Sequence, residues 1–273
     1  MRLDQALVER GLAPSRSAAA RLIASGAVFL EGRPVARAAL AVAPHAALGL
    51  AESPENRFVS RAGAKLEGLL AARPDIRVTG YWVDLGQGAG GFTHCLLERG
   101  AERVLGIDVG RGQLHAQLRS DPRVCTVEGL NLRDLPHRTS PCALDPKWPQ
   151  QGASGIVVDV SFISLEHALA PAVALLSAQG WLLALIKPQF ELGADSGERR
   201  RLLRRGVVSD ASVYPRVFAR IVQCLAQLGM RVNAPCDLHE SCLRGQEGNR
   251  EFFVVARRIY PRGDEGGLEC ASD

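Results

Sequence analysis

Lysine is scarce in this chain. Among its 33 basic residues only Lys65, Lys147 and Lys187 are lysines. Arginine holds its proton in any protein, whereas a lysine amine shifts its pKa readily and serves as a base or a compact point charge. Two of the three stand in ordered words, Ser60-Arg61-Ala62-Gly63-Ala64-Lys65-Leu66 and Leu185-Ile186-Lys187-Pro188-Gln189-Phe190, and suggest chemistry that arginine cannot do. Chance retention in an arginine-biased chain is the alternative. An acid, Asp159, and an amine, Lys187, each close an apolar run that reads as a strand, 156–160 and 181–186. In a doubly wound sheet such carboxyl ends border one ligand crevice, so the two groups converge although far apart in sequence.

A cofactor signal lies in Val83-Asp84-Leu85-Gly86-Gln87-Gly88-Ala89-Gly90-Gly91-Phe92-Thr93, which closes a strand and opens a helix. Glycines there let a backbone approach a ligand, and a helix N-terminus follows. Gly86, Gly88 and Gly91 fit GxGxxG, with Gly90 and Phe92 in the same turn, and Asp108 ends the next strand where a ribose-binding acid belongs. A dinucleotide such as NAD fits that pattern. Asp84, a carboxylate at the loop's entrance, instead suits a cationic methyl donor with an amino-acid tail, S-adenosylmethionine. Residues 159–163 lack the Asn/Asp-Pro-Pro-aromatic word of amino-methylating enzymes, and Cys142 and Cys236 lie away from the strand end that a cytosine C5 nucleophile needs. Asp159 and Lys187 suit a hydroxyl acceptor. Asn131, after the third strand, is assigned to the adenine.

The elements that must carry these residues alternate. Apolar runs at 81–85, 104–109, 124–127, 156–160 and 181–186 are separated by amphipathic stretches, with further strands near 230–234 and 251–255. Near-continuous apolar strands between helices predict an α/β, Rossmann-like doubly wound sheet, mostly parallel with an antiparallel strand near the C-terminus. The stretch 168–186 reads as a helix, a turn at Gly180 and a strand, because Pro171, Ser177, Gln179 and Gly180 interrupt it. Residues 1–56 form a small α+β domain and linker, 57–260 the sheet domain, and 261–273 a tail expected to be disordered.

In the small domain two helical runs, 3–10 and 16–25, precede a hairpin over 27–35, with Arg16 and Arg21 on the second helix and Arg33 at the turn. This resembles the S4 RNA-binding module, whose words appear in Arg2-Leu3-Asp4, Ser15-Arg16 and Gly26 through Val35. The resemblance implies RNA contacts by Arg2, Arg16, Arg21 and Arg33. Ser17-Ala18-Ala19-Ala20 and Glu31 stand where that module often has lysines and an asparagine, which weakens the expected grip.

The remainder resembles the methyltransferases of the TlyA family, whose catalytic domain is similar to FtsJ/RrmJ-type ribose 2′-O-methyltransferases. The matching words are Phe58 through Leu66, Gly90-Gly91-Phe92-Thr93, Asp108 through Leu114, Asp159 through Leu165, Lys187 through Glu191, and Gly248-Asn249-Arg250-Glu251-Phe252. The family's Lys-Asp-Lys-Glu tetrad carries over to Lys65, Asp159, Lys187 and Glu251. The resemblance implies methylation of ribose hydroxyls, usually of cytidine, in ribosomal RNA or ribosomal subunits. In that reaction Lys187 is the expected base or hydroxyl-orienting group, Asp159 stands between it and the donor, Lys65 supplies positive charge, and Glu251 orients the amines. Two words depart: Gln87-Gly88-Ala89 replaces the middle of the family loop, and Asp195 through Arg201 with Arg204-Arg205 replaces a glycine- and lysine-containing stretch. An arginine cluster there suits phosphates, or is a solvated helix face.

Net charge of +4 permits a nucleic-acid partner without requiring one. Seven cysteines without a CxxC pair argue against a disulfide framework and for a reducing, cytoplasmic setting. No apolar run reads as a membrane span or signal peptide. Cys236, His239 and Cys242 have unorthodox spacing and no evident fourth ligand, so no metal site is assigned. The rival functions are an RNA-binding protein without catalysis and, further off, an NAD-dependent oxidoreductase. Target nucleotide and oligomeric state are not encoded in any recognisable word.

Overall fold

The computed structural model describes residues 1–13, 15–24, 26–50, 57–135, 140–192, 197, 201–245 and 247–258. The chain divides into two compact units, Met1–Arg57 and Phe58–Asp273. Residues 51–56, the expected linker, and the tail from 261 lie outside the described residues.

In the first unit, helices α1 (Leu3–Glu9) and α2 (Arg16–Ala24) pack on strands β1 (Val28–Leu30), β2 (Arg33–Pro34) and β3 (Leu48–Leu50), all antiparallel in the order β2-β1-β3. Leu3, Leu7, Ala19, Ile23, Val28 and Val42 make its core. The hairpin turns through Glu31 and Gly32, both at positive φ (49° and 75°). Strand β3, which sequence did not announce, pairs the free edge of β1 in the register Val28↔Leu50.

The second unit is built on strands β4 (Tyr81–Leu85), β5 (Arg103–Asp108), β6 (Val124–Glu128), β7 (Ala153–Val158), β8 (Leu176–Ile186), β11 (Met230–Arg231), β12 (Leu238–Glu240) and β13 (Phe252–Arg258), with a separate hairpin of β9 (Leu203–Arg204) and β10 (Val207–Val208). The sheet order is β11-β13-β8-β7-β4-β5-β6, with β12 also on β13. Strands β4 to β8 run parallel and β13 runs antiparallel to β8. Successive side chains point to opposite faces, so both faces must be covered. Val83, Leu85, Ile156 and Val158 join one core with α7 (Glu166–Leu175) and α9 (Val213–Gln227). Trp82, Val104 and Val157 join the other with α3 (Arg61–Ala72) and α4 (Gly91–Arg99). Shorter helices are α5 (Ala116–Arg119), α6 (Pro141–Leu144) and α8 (Pro188–Glu191).

Two features depart from expectation. Strand β8 begins at Leu176, directly after α7, and runs through Gly180; a Cβ at Gly180 would lie 3.0 Å from the Ala153 carbonyl, so this glycine serves close strand packing rather than a turn. β11 stops at Arg231, short of 234. Among the described residues Cys95, Cys125, Cys224, Cys236 and Cys242 are free. Among the described residues no helix is long and apolar enough to cross a membrane.

Candidate active site

The carboxyl ends of the parallel strands gather the polar residues that the apolar strands exclude. After β4 the chain turns sharply at Gly86, where a Cβ would lie 2.5 Å from the Asp159 carbonyl oxygen. Only glycine lets the loop lie against the end of β7, and the Asp159 amide in turn donates to the Leu85 carbonyl at 2.9 Å. The glycine loop and Asp159 are therefore one packed unit.

Asp84 is buried within it, 1% exposed. Its Oδ2 accepts the Thr93 amide at 3.0 Å and the Thr93 hydroxyl at 2.7 Å, which ties the strand to the first turn of α4. Its Oδ1 is buried without a hydrogen-bond partner. Burial raises the Asp84 pKa to about 7, opposed by the Thr93 hydrogen bonds and reinforced by the negative charges of Asp159 and Asp108. Such an oxygen calls for either a proton or a cation.

Two amine–carboxylate pairs stand at neighbouring strand ends. Lys187 follows β8, and its Nζ lies 2.6 Å from Asp159 Oδ1 while donating to Ser161 Oγ at 2.7 Å. The hydrogen bond to Ser161 is well aligned. Asp159 Oδ1 has the charge contact but no aligned hydrogen bond. Across the sheet, Phe252 pairs with Ile186, so Glu251, one residue earlier on the antiparallel strand, comes to the same edge of the crevice as Lys187. Glu251 Oε2 accepts from Lys65 Nζ at 2.6 Å, and the two side chains are 3% and 10% exposed.

Lys65 reaches that place because α3 crosses α4 closely. A Cβ at Gly91 would lie 2.1 Å from Ser60 Oγ and 2.8 Å from the Gly63 amide nitrogen, and one at Gly63 would lie 2.8 Å from the Gly91 carbonyl. Glycine on both sides permits the approach. The spacing of the word Ser60 to Lys65 then reads physically: contact at Gly63, amine two residues on. Cys242 Sγ donates to the Ala64 carbonyl at 3.3 Å and so packs on α3. His239 lies beside Arg73, itself held by Asp75 and Asp237. Among the described residues no group of three or more His, Cys, Asp or Glu could hold a metal.

Two determinants were given no role from sequence. Glu191, buried on α8, accepts the Ser164 hydroxyl at 2.8 Å and the Leu165 amide at 2.7 Å, and Arg220 from α9 donates to it at 3.0 Å. It locks the loop bearing Asp159 and Ser161 to the loop bearing Lys187. Gln87 is also buried. Its amide donates to Thr93 Oγ1 at 3.0 Å, and its side chain fills the space over Gly106, so it braces the glycine loop from behind.

The remaining expected residues divide. Asp108 accepts the Gly88 amide on Oδ2 and the Gly110 amide on Oδ1, both at 2.7 Å, and so joins the glycine loop to the end of β5. Phe92, assigned to the cofactor, is 2% exposed and packs its ring 5.9 Å from that of Phe253, a core position. Asn131 caps the short helix Leu132–Asp134 by accepting the Arg133 amide at 3.1 Å. Phe162 is the opposite of Phe92: it is 88% exposed, at φ +67°, with its ring 5.2 Å from that of Phe190, three residues beyond Lys187.

In the first unit Arg2 and Arg16 both donate to the buried carboxylate of Asp4, at 3.0 Å each, while staying about half exposed. These hydrogen bonds hold the Asp4 pKa well below the usual carboxylate range. Arg33 is exposed on β2, and Arg21 lies on α2. Of the arginine-rich stretch, residues 195, 196 and 198–200 lie outside the described residues, whereas Arg201, Arg204 and Arg205 are exposed.

Comparison with known proteins agrees with this layout. Residues 58–258 match the FtsJ-like methyltransferase family, and residues 1–48 match the S4 domain. The chain is 38% identical over 272 residues to the 16S/23S rRNA (cytidine-2′-O)-methyltransferase TlyA of Mycobacterium tuberculosis, covering 99% of this chain and 95% of that protein. It is 32% identical to Hemolysin A of Brachyspira hyodysenteriae, covering 93% of this chain and 98% of that one. The solved structure of a Streptococcus thermophilus protein with a provisional hemolysin name superposes with a TM-score of 0.69 at 30% identity, over 97% of this chain and 90% of that chain.

Proposed function

The chain belongs to the TlyA family of FtsJ-like methyltransferases, and we propose that it transfers a methyl group from S-adenosylmethionine to ribose 2′-hydroxyls of cytidines in ribosomal RNA. The observation that carries this reading is the pair of buried carboxylate oxygens without aligned hydrogen bonds, Asp84 Oδ1 and Asp159 Oδ1, on one packed loop unit beside the Lys187 amine.

The residues present fit the methyl donor. Asp84 Oδ1 suits its ammonium group, and within the loop held by Gly86 and Gly90 the open position is Gly88, where a Cβ would meet only Gln113 Oε1 at 3.9 Å, so the backbone there leaves room for a ligand. Asp108 keeps lone pairs for ribose hydroxyls beyond the two amides it already accepts. An anionic pyrophosphate would meet Asp84 with like charge, which disfavours a dinucleotide, whereas Asp108 suits the ribose of either. When bound, S-adenosylmethionine supplies an electrophilic methyl group on a cationic sulfonium.

The chain's own residues then handle the hydroxyl. Lys187 donates one hydrogen to Ser161 and stands in charge contact with Asp159, which leaves its ammonium a hydrogen to orient the 2′-oxygen. Asp159 Oδ1 accepts the hydroxyl's hydrogen bond and takes its proton as the oxygen gains the methyl group. Lys65, neutralised by Glu251, fixes the far wall of the crevice and keeps β13 against α3. Holding the oxygen in attack geometry supplies much of the rate. The exposed ring of Phe162, backed by the half-buried ring of Phe190, offers a platform for a base lifted from its stack.

The S4 unit supports binding to ribosomal subunits in the cytoplasm, with Arg2, Arg16, Arg21 and Arg33 contacting phosphates. Mapping 2′-O-methyl sites in ribosomal RNA from cells with and without the protein tests the reading: loss of specific cytidine methylations is expected, and unchanged maps overturn it.

A further inference from the structure

The hairpin of β9 and β10 carries a local conflict that the catalytic groups do not explain. Its two-residue turn is Arg205-Gly206, both at positive φ (51° and 82°). Such turns favour Asn, Asp or Gly at the first position, because a side chain there crowds its own backbone. Arg205 is exposed, as is Arg204 beside it, so no burial offsets the strain. Strain retained at an exposed charged tip points toward a ligand.

The hairpin is also docked with care. Asn249, 2% exposed, donates to the Gly206 carbonyl and accepts the Val208 amide, both at 2.9 Å. It stands two residues before Glu251. The same loop closes on itself through the Gly245 amide and the Asn249 carbonyl at 2.9 Å, and a Cβ at Gly245 would lie 2.5 Å from Glu251 Oε1. Arg61, four residues before Lys65, donates to the Arg244 carbonyl at 3.2 Å. Arg61, Arg244, Arg204 and Arg205 thus rim one short loop whose end delivers Glu251 to Lys65. Glu247 stands beside Gly206 as an acidic neighbour, leaving the rim in positive excess.

We propose that the 203–208 hairpin is a phosphodiester-binding arm for the RNA strand flanking the target ribose, and that Asn249 is the positioning residue that sets it against the Lys65–Glu251 pair. This rests on the RNA methyltransferase reading above. An arginine fork suits phosphate oxygens without reading sequence, so the arm contributes register on the strand rather than base choice.

The test uses the full chain and purified ribosomal subunits lacking ribose methylation. In Arg204→Gln/Arg205→Gly, glycine relieves the turn while both charges go. The expected result is an unchanged or raised melting temperature, unchanged methyl-donor affinity by calorimetry, a raised KM for subunits, and a plot of log affinity against log salt that flattens by about 1.4–1.8, the contribution of two phosphates. An unchanged salt slope and KM overturn the arm. Asn249→Ala is expected to raise KM, yet to add little when combined with the arginine double variant, and Asn249→Asp, which keeps the acceptor for Val208, is expected to recover part of the loss. Full additivity of Asn249→Ala with the double variant overturns the positioning role. If the wild-type chain itself neither binds nor methylates subunits, it is the underlying function that fails, which these comparisons among variants keep separate.

Discussion

Lys65 and Glu251, 186 positions apart, meet in a 2.6 Å ion pair that is almost wholly buried. The pair joins α3 to the start of β13, the strand that closes the parallel half of the sheet. Lys65→Ala leaves a buried carboxylate without its partner, and breaking such a pair costs roughly 3–5 kcal/mol. Removing both charges with apolar residues of similar volume, Lys65→Met with Glu251→Leu, is expected to restore most of that stability but not activity. Urea denaturation with a methyl-transfer assay separates the two effects, and an active double variant would remove the pair from the reaction.

Lys187→Arg keeps the charge and changes the shape. A planar guanidinium cannot reproduce a compact ammonium that lies 2.6 Å from Asp159 and donates to Ser161 while keeping a hydrogen for substrate. Transfer is expected to fall at least about a hundredfold, within the range that positioned proton-handling groups contribute. Donor binding is expected to persist. Near wild-type turnover would exclude the assigned role.

Phe162 holds a left-handed backbone conformation and an exposed ring, two unfavourable features in one residue. Phe162→Ala is expected to weaken RNA productive binding by about 1–3 kcal/mol, the usual contribution of base stacking on an aromatic ring, with no loss of thermal stability. A KM unchanged from wild type would leave the ring without a part in RNA binding.

Removal of residues 1–57 takes away one compact unit with its own core around Leu3, Leu7 and Ile23. The remaining unit is expected to melt cooperatively and bind donor, and to bind ribosomal RNA more weakly with a smaller salt slope. RNA affinity equal to that of the full chain would deny the S4 unit its role.

Much of this site could be read before any coordinates. Asp159 and Lys187 were legible because each terminates an apolar run, and a parallel sheet brings strand ends together whatever lies between them. Glu251 was not legible from residue type alone: its place depends on the register of an antiparallel strand, and only the family resemblance pointed to it. Phe92 and Asn131 show what a loop word conceals. Sequence assigned both to the cofactor, but it did not show that the Phe92 ring packs on Phe253 or that the Asn131 side chain caps a helix, because packing decides such contacts. The brace at Glu191 and the hairpin at 203–208 gave no periodic signal, one being a long-range hydrogen-bond network and the other too short and too charged to alternate.

With Asp84 in the proposed donor-binding role, donor binding is expected to be linked to a proton. Desolvation raises its pKa to about 7, with the Thr93 hydrogen bonds acting against the shift and Asp159 and Asp108 adding to it. The unfolded value is 3.8, so the folded chain binds the extra proton between the two. Stability of the donor-free protein therefore falls as pH rises from near 4 through about 7, by an amount on the order of a few kcal/mol. A cationic donor that pairs with Oδ1 favours the ionised form, so binding below pH 7 must release a proton, and apparent affinity is expected to fall by up to about tenfold per pH unit there. Above pH 8 the dependence vanishes. Calorimetry in two buffers of different ionisation enthalpy reads the proton directly. Asp84→Asn is expected to be more stable than wild type at pH 8, to lose the pH dependence, and to bind donor weakly at every pH. Tight binding by that variant, or wild-type binding without proton release at pH 6, would show that Asp84 Oδ1 faces something other than the donor's ammonium group.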